Sequence, residues 1–406
     1  MTRDFSRINS KVMSKINMSK VLKLIWERRI ISAREIISQT DLTAPSVTRI
    51  VKHLIHEEEL VKYSGIGDSN GGRPPVLYEF NGLDKYVIAI DVGATFIRGV
   101  IANLNAEIFS EIQILTEKEN GYQSVIAKLN ELVNKLSRSQ GISQKRIVGI
   151  GIGVAGLVDK QKKRINFSPD FQWVNVDFFE DMSKNLEIPI YLENSTRLMA
   201  LGELCYGIGR HSDNYVVVNV GYGIAAGIVI NGETISGSLG HSGEFGHITI
   251  EPNSEILCDC GQKGCLEALA SGRRIAEVAR ERLNECTILK ELSLNDIKRI
   301  DAKMVFDAAN LGDSVAEEIL DTAISSLCVG IRGLISLLDP AIILIGGGVS
   351  LNGDIFFDKV NKGIKGMLMP PQVINTIRPV TFRENATIVG AIALVLERVL
   401  NLELNN

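Results

Sequence analysis

Between Asn17 and His56 apolar residues recur at helical spacing three times, whereas from Val87 onward they gather into short runs that end in glycine. The stretch NMSKVLKLIWERR puts Val21, Leu22, Leu24, Ile25 and Trp26 on one broad face, which predicts a helix. Ser32 and Glu35 have the Ser-x-x-Glu spacing of a capping box, so AREIISQ should form a second, short helix. In TDLTAPSVTRIVKHLIHEEELV, Thr43 is a candidate N-cap and Pro45 falls in the first turn, where its missing N–H costs nothing. Val47, Ile50, Val51, Leu54 and Ile55 follow at i, i+3, i+4, i+7 and i+8, leaving Ser46, Thr48, Arg49, Lys52 and His53 on the open side. Beyond them, LVKYSGIGDSNGGRPPVLYEF reads as strand, glycine-rich loop, strand.

Three helices and a β-hairpin in this order predict a winged helix-turn-helix, whose third helix lies in the major groove of DNA. Arg49 and Lys52 would meet guanine edges or phosphates there, and Ser46 and Thr48 either one. Arg73, at the end of the wing loop, would reach a phosphate or the minor groove. Charge agrees: up to His56 there are eleven basic residues against four acidic ones, in a chain whose net charge is −4. A basic head on an acidic body fits an anionic partner. A winged-helix module that binds protein is the alternative.

After Gly82 the pattern becomes that of buried strands. VIAIDVGATFIRGVIANLN (87–105) is echoed by YVVVNVGYGIAAGIVINGE (215–233) with a shift of 128 positions, so that Asp91 meets Asn219, Gly93 meets Gly221 and Gly99 meets Gly227. Each copy reads as strand, glycine turn, strand and Asn-containing hairpin. The duplication implies two similar α/β lobes with a small-molecule cleft between them. Glycine turns after buried strands bring backbone N–H groups close to phosphate, or simply make tight hairpins. IVGIGIGVAGLVD (147–159) and AIILIGGG (341–348) are further runs of this kind.

With 406 residues the chain can build cores that need no disulfide. Its N-terminus carries charge where a signal peptide would be apolar, and no apolar run approaches a membrane span. A soluble, cytoplasmic protein without a membrane partner is the expectation. Grouped cysteines in a reducing compartment more often hold metal than form bridges. Three of the six cysteines, Cys258, Cys260 and Cys265, fall within eight positions, and His247 stands eleven residues before the first of them. One imidazole and three thiolates make a closed tetrahedral set for a structural Zn²⁺, one per chain.

These segments resemble the ROK family of bacterial sugar repressors and sugar kinases, which share a duplicated, actin-like (ribonuclease H-like) fold. The resemblance rests on Asp91-Val92-Gly93-Ala94-Thr95 for the kinases' phosphate loop Asp-x-Gly-Gly-Thr, on Gly151 through Asp159, and on GEFGH followed by Cys-x-Cys-Gly-x-x-Gly-Cys-Leu-Glu from Cys258 through Glu267. It implies an α/β fold in which residues 1–82 form the winged helix-turn-helix and 83–198 a first lobe, completed by a C-terminal helix over 386–402. Residues 199–385 would form the second lobe with the zinc site and a dimerisation surface. It also implies that Asn194, Glu244, His247 and Glu267 bind sugar, with His247 using one ring nitrogen for zinc and the other for a hydroxyl. Asp91, Gly93 and Thr95 would be a vestigial phosphate loop.

Two positions depart from the kinases. Their Glu-Asn-Asp-Ala-Asn segment contains the general base, and here the text is Glu193-Asn194-Ser195-Thr196-Arg197. A serine hydroxyl with no base nearby in sequence does not take a proton near neutral pH, and general-base catalysis is worth about 10²–10⁴-fold. Ser195 is expected to cap the helix that follows, as aspartate would. The second loop, Gly-Thr-Gly in the kinases, is Gly221-Tyr222-Gly223, with a ring in nucleotide space. The reading is a non-enzymatic, sugar-responsive repressor of carbohydrate genes that binds a palindromic DNA operator as a homodimer or larger homo-oligomer. A sugar kinase with an appended DNA-binding domain, and a repressor captured by a sugar-transport protein, are the alternatives. In NFSPDFQW (166–173), Trp173 is either a stacking surface near the cleft or a core residue.

Overall fold

A computed structural model of the chain describes residues 10–68, 74–138, 141–160, 162–184, 186–367 and 377–403. The head comprises α1 (Ser10–Arg28), β1 (Ile30–Ser32), α2 (Ala33–Gln39), α3 (Ala44–His56), β2 (Val61–Ile66) and β3 (Val76–Phe80). The expected capping box is formed: Glu35 N–H donates to Ser32 Oγ at 3.3 Å, and Ser32 N–H to Glu35 Oε2 at 2.8 Å. β3 pairs antiparallel with both β2 and β1. The three residues of β1 were not expected; Ile31 is buried by that pairing. Arg73, assigned to the wing loop, lies outside the described residues.

The first lobe holds β4 (Tyr86–Val92), β5 (Phe96–Asn103), β6 (Ile108–Leu115), α4 (Tyr122–Ser137), β7 (Ile147–Val154), β8 (Leu157–Asp159), β9 (Arg164–Ser168), β10 (Trp173–Val176), α5 (Phe178–Ser183) and β11 (Ile190–Asn194). Then comes α6 (Ser195–Cys205), and after it β12 (Tyr215–Val220), β13 (Ile224–Ile230), β14 (Glu233–Thr234), α7 (Leu266–Ala270), α8 (Gly272–Glu281), α9 (Ile288–Leu292), α10 (Ala302–Asn310) and α11 (Ser314–Leu338). β15 (Ile342–Gly346), α12 (Asp354–Lys365), β16 (Ile377–Pro379) and α13 (Ala386–Leu400) end the fold.

The two large sheets have the orders β11-β7-β4-β5-β6 and β16-β15-β12-β13-β14. In each, a hairpin (β4/β5, β12/β13) is followed outward by parallel strands on its first member's side. The 128-residue repeat is therefore one topology built twice, and Asp91 and Asn219 occupy equivalent strand ends. The fold is the α/β, actin-like body with a winged-helix head expected from the motifs.

Helices α6 and α13 cross between the lobes at glycines. A Cβ on Gly390 would lie 1.9 Å from the Leu198 carbonyl oxygen, and one on Gly202 would lie 2.9 Å from Gly390 N. α13 also packs on the first sheet, where a Cβ on Gly151 would meet the Ala391 oxygen at 2.1 Å. Its far end reaches the head: Ser19 Oγ donates to the Leu400 carbonyl at 2.8 Å. Val21, Leu22 and Ile25 of α1 share one continuous apolar core with Val395, Val399 and Leu400.

One expectation is corrected. α11 is long and apolar enough to cross a membrane, with 56% of its apolar window buried within the protein. Its acidic residues Glu317, Glu318 and Asp321 sit in the first turns, so the remainder reads as one long apolar segment. Leu327, Ile331 and Leu334 of that segment join the core with Val216, Val218 and Ile343 of the second sheet.

Candidate functional site

A cavity of about 670 Å³ opens between the lobes, lined from the first by Asp91, Gly93, Thr95 and Asn194 and from the second by Tyr222, Glu244, His247 and Glu267. Asp91, Gly93, Thr95, Asn194 and Tyr222 come from strand ends and the turns after them, whereas Glu244 and His247 come from the loop that follows β14 and Glu267 from α7.

The first glycine turn is tight. Gly93 N–H donates to Phe96 O at 3.0 Å, and a Cβ at 93 would press on that oxygen at 2.9 Å. Thr116 fastens the turn, donating through N–H to Thr95 O and through Oγ1 to Gly93 O. Asp91 is half-buried at its edge, and desolvation pushes its carboxyl up to about 6 despite the opposing pull of Arg98 and Ser195.

Ser195 Oγ lies 3.5 Å from Asp91 Oδ1, the outer limit of a hydrogen bond. The serine thus has a carboxylate beside it in space, brought from 104 residues away, which sequence neighbours alone did not reveal. The helix cap is also reassigned. Asn194 Oδ1 accepts from Thr196 N at 2.9 Å and Arg197 N at 3.2 Å, and α6 starts at Ser195 itself. Asn194, at the end of the β11 strand with extended backbone, has the short side chain a cap needs, so Ser195 is released to face the cleft. Asn194 Nδ2 donates to Gly156 O at 3.0 Å, which commits one of its two amide protons.

In the second glycine turn, Gly221 N–H donates to Gly223 O at 2.9 Å, and the Tyr222 ring projects half exposed. Lys118 from the first lobe stands 5.8 Å from its centroid and Arg273 from the second 5.7 Å, both at cation–π range. Glu267 Oε2 accepts Ile224 N–H at 2.7 Å, and Gly223 leaves the room for it, since a Cβ there would lie 2.4 Å from that oxygen. Burial raises the carboxyls of both Glu244 and Glu267 above their ordinary value.

His247, Cys258, Cys260 and Cys265 come together with all ligand atoms within 4.8 Å of one another. Cys258 Sγ is 3.6 Å from His247 Nδ1, and Cys260 Sγ is 3.6 Å from Cys265 Sγ. A tetrahedral metal with bonds of about 2.3 Å to sulfur needs ligand separations of about 3.7 Å, so the four residues fit a metal ion. His247 would bind it through Nδ1, leaving Nε2 on the Glu244 side, 3.8 Å from Glu244 Oε2.

Trp173 is 5% exposed, stacked on Phe171 and edge-on to Tyr122, and belongs to the first lobe's core. In the head, Thr48, Arg49 and Lys52 are exposed along α3 and line a shallow groove with Ala44 and Pro45. Ser46 is half-buried, its Oγ 3.0 Å from Thr43 Oγ1. Sequence reasoning missed Arg98, which bonds Glu111, Asn385 Oδ1 and the Glu384 carbonyl and so ties α13's start to the first sheet. It also missed Arg197, which is buried. Arg98 acts through partners distant in sequence, and although Glu193 stands four residues before Arg197, the carbonyls that Arg197 also binds lie more than forty residues on.

A duplicated two-lobed body with a polar interlobe cleft, bearing a winged helix, defines a class: actin-like two-lobed proteins to which a winged-helix head has been joined. The ROK family model matches residues 87–398, beginning just past the head, and the chain belongs to the ROK family. It is 28% identical over 394 residues to the xylose repressor of Caldicellulosiruptor bescii, covering 97% of this chain and 98% of that one. It is 32% identical over 318 residues to the glucokinase of Thermotoga maritima, covering 77% of this chain and 98% of the enzyme. A solved ROK family transcriptional regulator, described as a homologue of the E. coli MLC protein, superposes with a TM-score of 0.81 at 25% identity, over 97% of this chain and 98% of its own.

Proposed function

We propose that the chain is a cytoplasmic, sugar-responsive transcriptional repressor of carbohydrate-utilisation genes that holds a mono- or disaccharide in the interlobe cleft and does not phosphorylate it. The observation that carries this reading is the pairing of a winged-helix head with a cleft whose base position is Ser195. A full-length likeness to a xylose repressor supports the regulator, and xylose is the first sugar to test.

In this reading Asn194's remaining amide proton, the Glu244 and Glu267 carboxylates and His247 Nε2 hold sugar hydroxyls. The donor set of His247, Cys258, Cys260 and Cys265 is that of structural zinc, with no open position for a reacting water. Bound there, zinc would fix the imidazole's orientation and leave a proton on Nε2. Residues 1–82 would act as the DNA-binding unit, 83–198 with 386–402 as the first lobe, and 199–385 as the second lobe with the dimer contact. Thr48, Arg49, Lys52 and Ser46 would read or grip a half-site, with Arg73 adding a wing contact. A dimer would match a palindromic operator.

Sugar would favour one arrangement of the lobes. Helix α13 runs from Thr387 at the cleft to Leu400 under α1, so a changed lobe angle reaches the heads. Coupling of about 1–3 kcal/mol is ordinary for such switches.

A kinase reading draws support from the Asp91 carboxyl beside Ser195 and from the glucokinase likeness. Calorimetry with a panel of aldopentoses, aldohexoses, N-acetylhexosamines and disaccharides, run beside ADP-release assays with ATP, separates the two. Stoichiometric sugar binding without ADP release is expected; turnover at enzyme rates refutes the repressor-only reading. Co-purification of the chain with a membrane transporter, dependent on sugar in the growth medium, would instead favour control by capture.

A further inference from the structure

Arg197, on the first turn of α6, is 3% exposed, yet no apolar packing explains an arginine there. Its Nε donates to Glu193 Oε1 at 2.8 Å, and its other arm donates to the carbonyls of Gly240 at 3.0 Å and Ser242 at 3.3 Å. Glu193, on β11 of the first sheet and also 3% exposed, is further satisfied by Asn194 N–H at 2.8 Å and by an ion pair with Lys160. Gly240 and Ser242 belong to the turn after β14, in the second lobe. A single guanidinium therefore joins the lobes, its charge matched in one and its Nη1 protons donated in the other.

The turn it holds leads directly to Glu244. Gly240 has φ +79° and abuts the Val158 carbonyl of the first lobe, where a Cβ would lie 3.0 Å away. Gly243 has φ +90°, and its carbonyl accepts Ala226 N–H at 2.8 Å. The segment is thus pinned at Gly243 by β13 and at Gly240 and Ser242 by Arg197. Without the guanidinium, two carbonyls at the lobe boundary lose their donor, and Glu193 keeps only Lys160 as a countercharge.

The geometry points to Arg197 as a positioning residue for the sugar site: an interlobe strut that sets where the Glu244 carboxylate stands. This rests on the reading of the cleft as a sugar site. Arg197 touches no ligand and acts through Glu244. Its strength follows from the group it places, because a hydrogen bond from a sugar hydroxyl to a carboxylate contributes about 10- to 100-fold in affinity.

The test is a double-mutant cycle between Arg197→Met and Glu244→Gln in the full-length, metal-loaded chain. Affinity is read by calorimetry with the same sugar panel, and bound metal is measured on every variant. Arg197→Met should weaken binding about 10- to 100-fold with metal content unchanged. Adding Glu244→Gln to it should weaken binding little further, because both changes remove one interaction. Arg197→Lys, which keeps the charge but cannot span all three acceptors, should fall between. Binding by Arg197→Met within twofold of wild type, or fully additive losses in the cycle, overturns the inference while leaving the sugar site standing. A folded, metal-loaded wild-type chain that binds no sugar in the panel overturns the reading of the cleft and this inference with it.

Discussion

Replacing Gly390 by alanine tests whether the α6–α13 crossing holds the lobes together. In an unobstructed helix interior the change stabilises by about 0.5–1 kcal/mol, since alanine loses less conformational freedom on folding. Here the new methyl would lie 1.9 Å from the Leu198 carbonyl oxygen and 2.3 Å from its carbon, both backbone atoms that no rotamer change can move. The helices must separate by more than 1 Å to restore contact distances, and a gap of 0.5–1 Å already forfeits a quarter to a half of each van der Waals contact. Overpacking of this kind costs about 1–3 kcal/mol or more. Set against the propensity gain, the upper end of that range leaves a net loss of about 2 kcal/mol, or about 2–3 °C in the melting temperature of a 406-residue chain. Gly333 in α11 is the control: a methyl there meets nothing within 4 Å, so Gly333→Ala should hold or raise stability by up to about 1 kcal/mol. Differential scanning calorimetry of both variants decides the matter. A Gly390→Ala protein that melts with the wild type, or above it, would refute the close crossing.

Three further outcomes follow from the site and the head. Asp91, whose half-buried carboxyl is pushed by desolvation from the usual 3.8 up to about 6, binds its proton more tightly folded than unfolded. Its contribution is present below pH 3.8 and is lost as pH rises through about 6, a change of roughly 3 kcal/mol at 1.36 kcal/mol per pH unit. Denaturation of wild type and Asp91→Asn across pH 4–7 should show the variant gaining on the wild type toward neutrality; parallel curves would contradict the assigned burial. Cys260→Ser should lose most of the bound metal by elemental analysis and weaken sugar binding, because His247 is no longer held; full metal occupancy would exclude Cys260 from the donor set. Lys52→Ala should weaken DNA binding similarly across sequences and lower the salt-dependence slope by about one. An unchanged slope would remove Lys52 from the phosphate contacts.

The parts of this molecule legible in its sequence are those whose logic is local. The Ser32–Glu35 capping box, the repeat that becomes two sheets of one topology, and the His247–Cys265 donor cluster each lie within a short span or recur at a fixed offset. What was misread, left open or missed depends on the third dimension. The cap of α6 passed to Asn194 because the chain leaves β11 one residue earlier than the helical pattern suggests. β1 is too short to show a period, and exists because β3 offers it an edge. Trp173 sits in an aromatic cluster assembled from Tyr122, Phe171 and Phe178, which loop-like flanking text did not announce. Asp91 beside Ser195, and Arg197 between Glu193 and Gly240, join segments that only the lobe geometry brings near.

The central claim is that carbohydrate recognition in this cleft is spent on changing DNA affinity. It is tested most directly by fluorescence anisotropy on an operator selected from random DNA by the full-length protein, titrated with xylose and then the wider sugar panel in the presence of ATP and Mg²⁺. The account predicts that one sugar shifts operator affinity by about 5- to 150-fold and is recovered unphosphorylated. An operator affinity indifferent to every sugar, or recovery of the sugar as its phosphate ester, would contradict it.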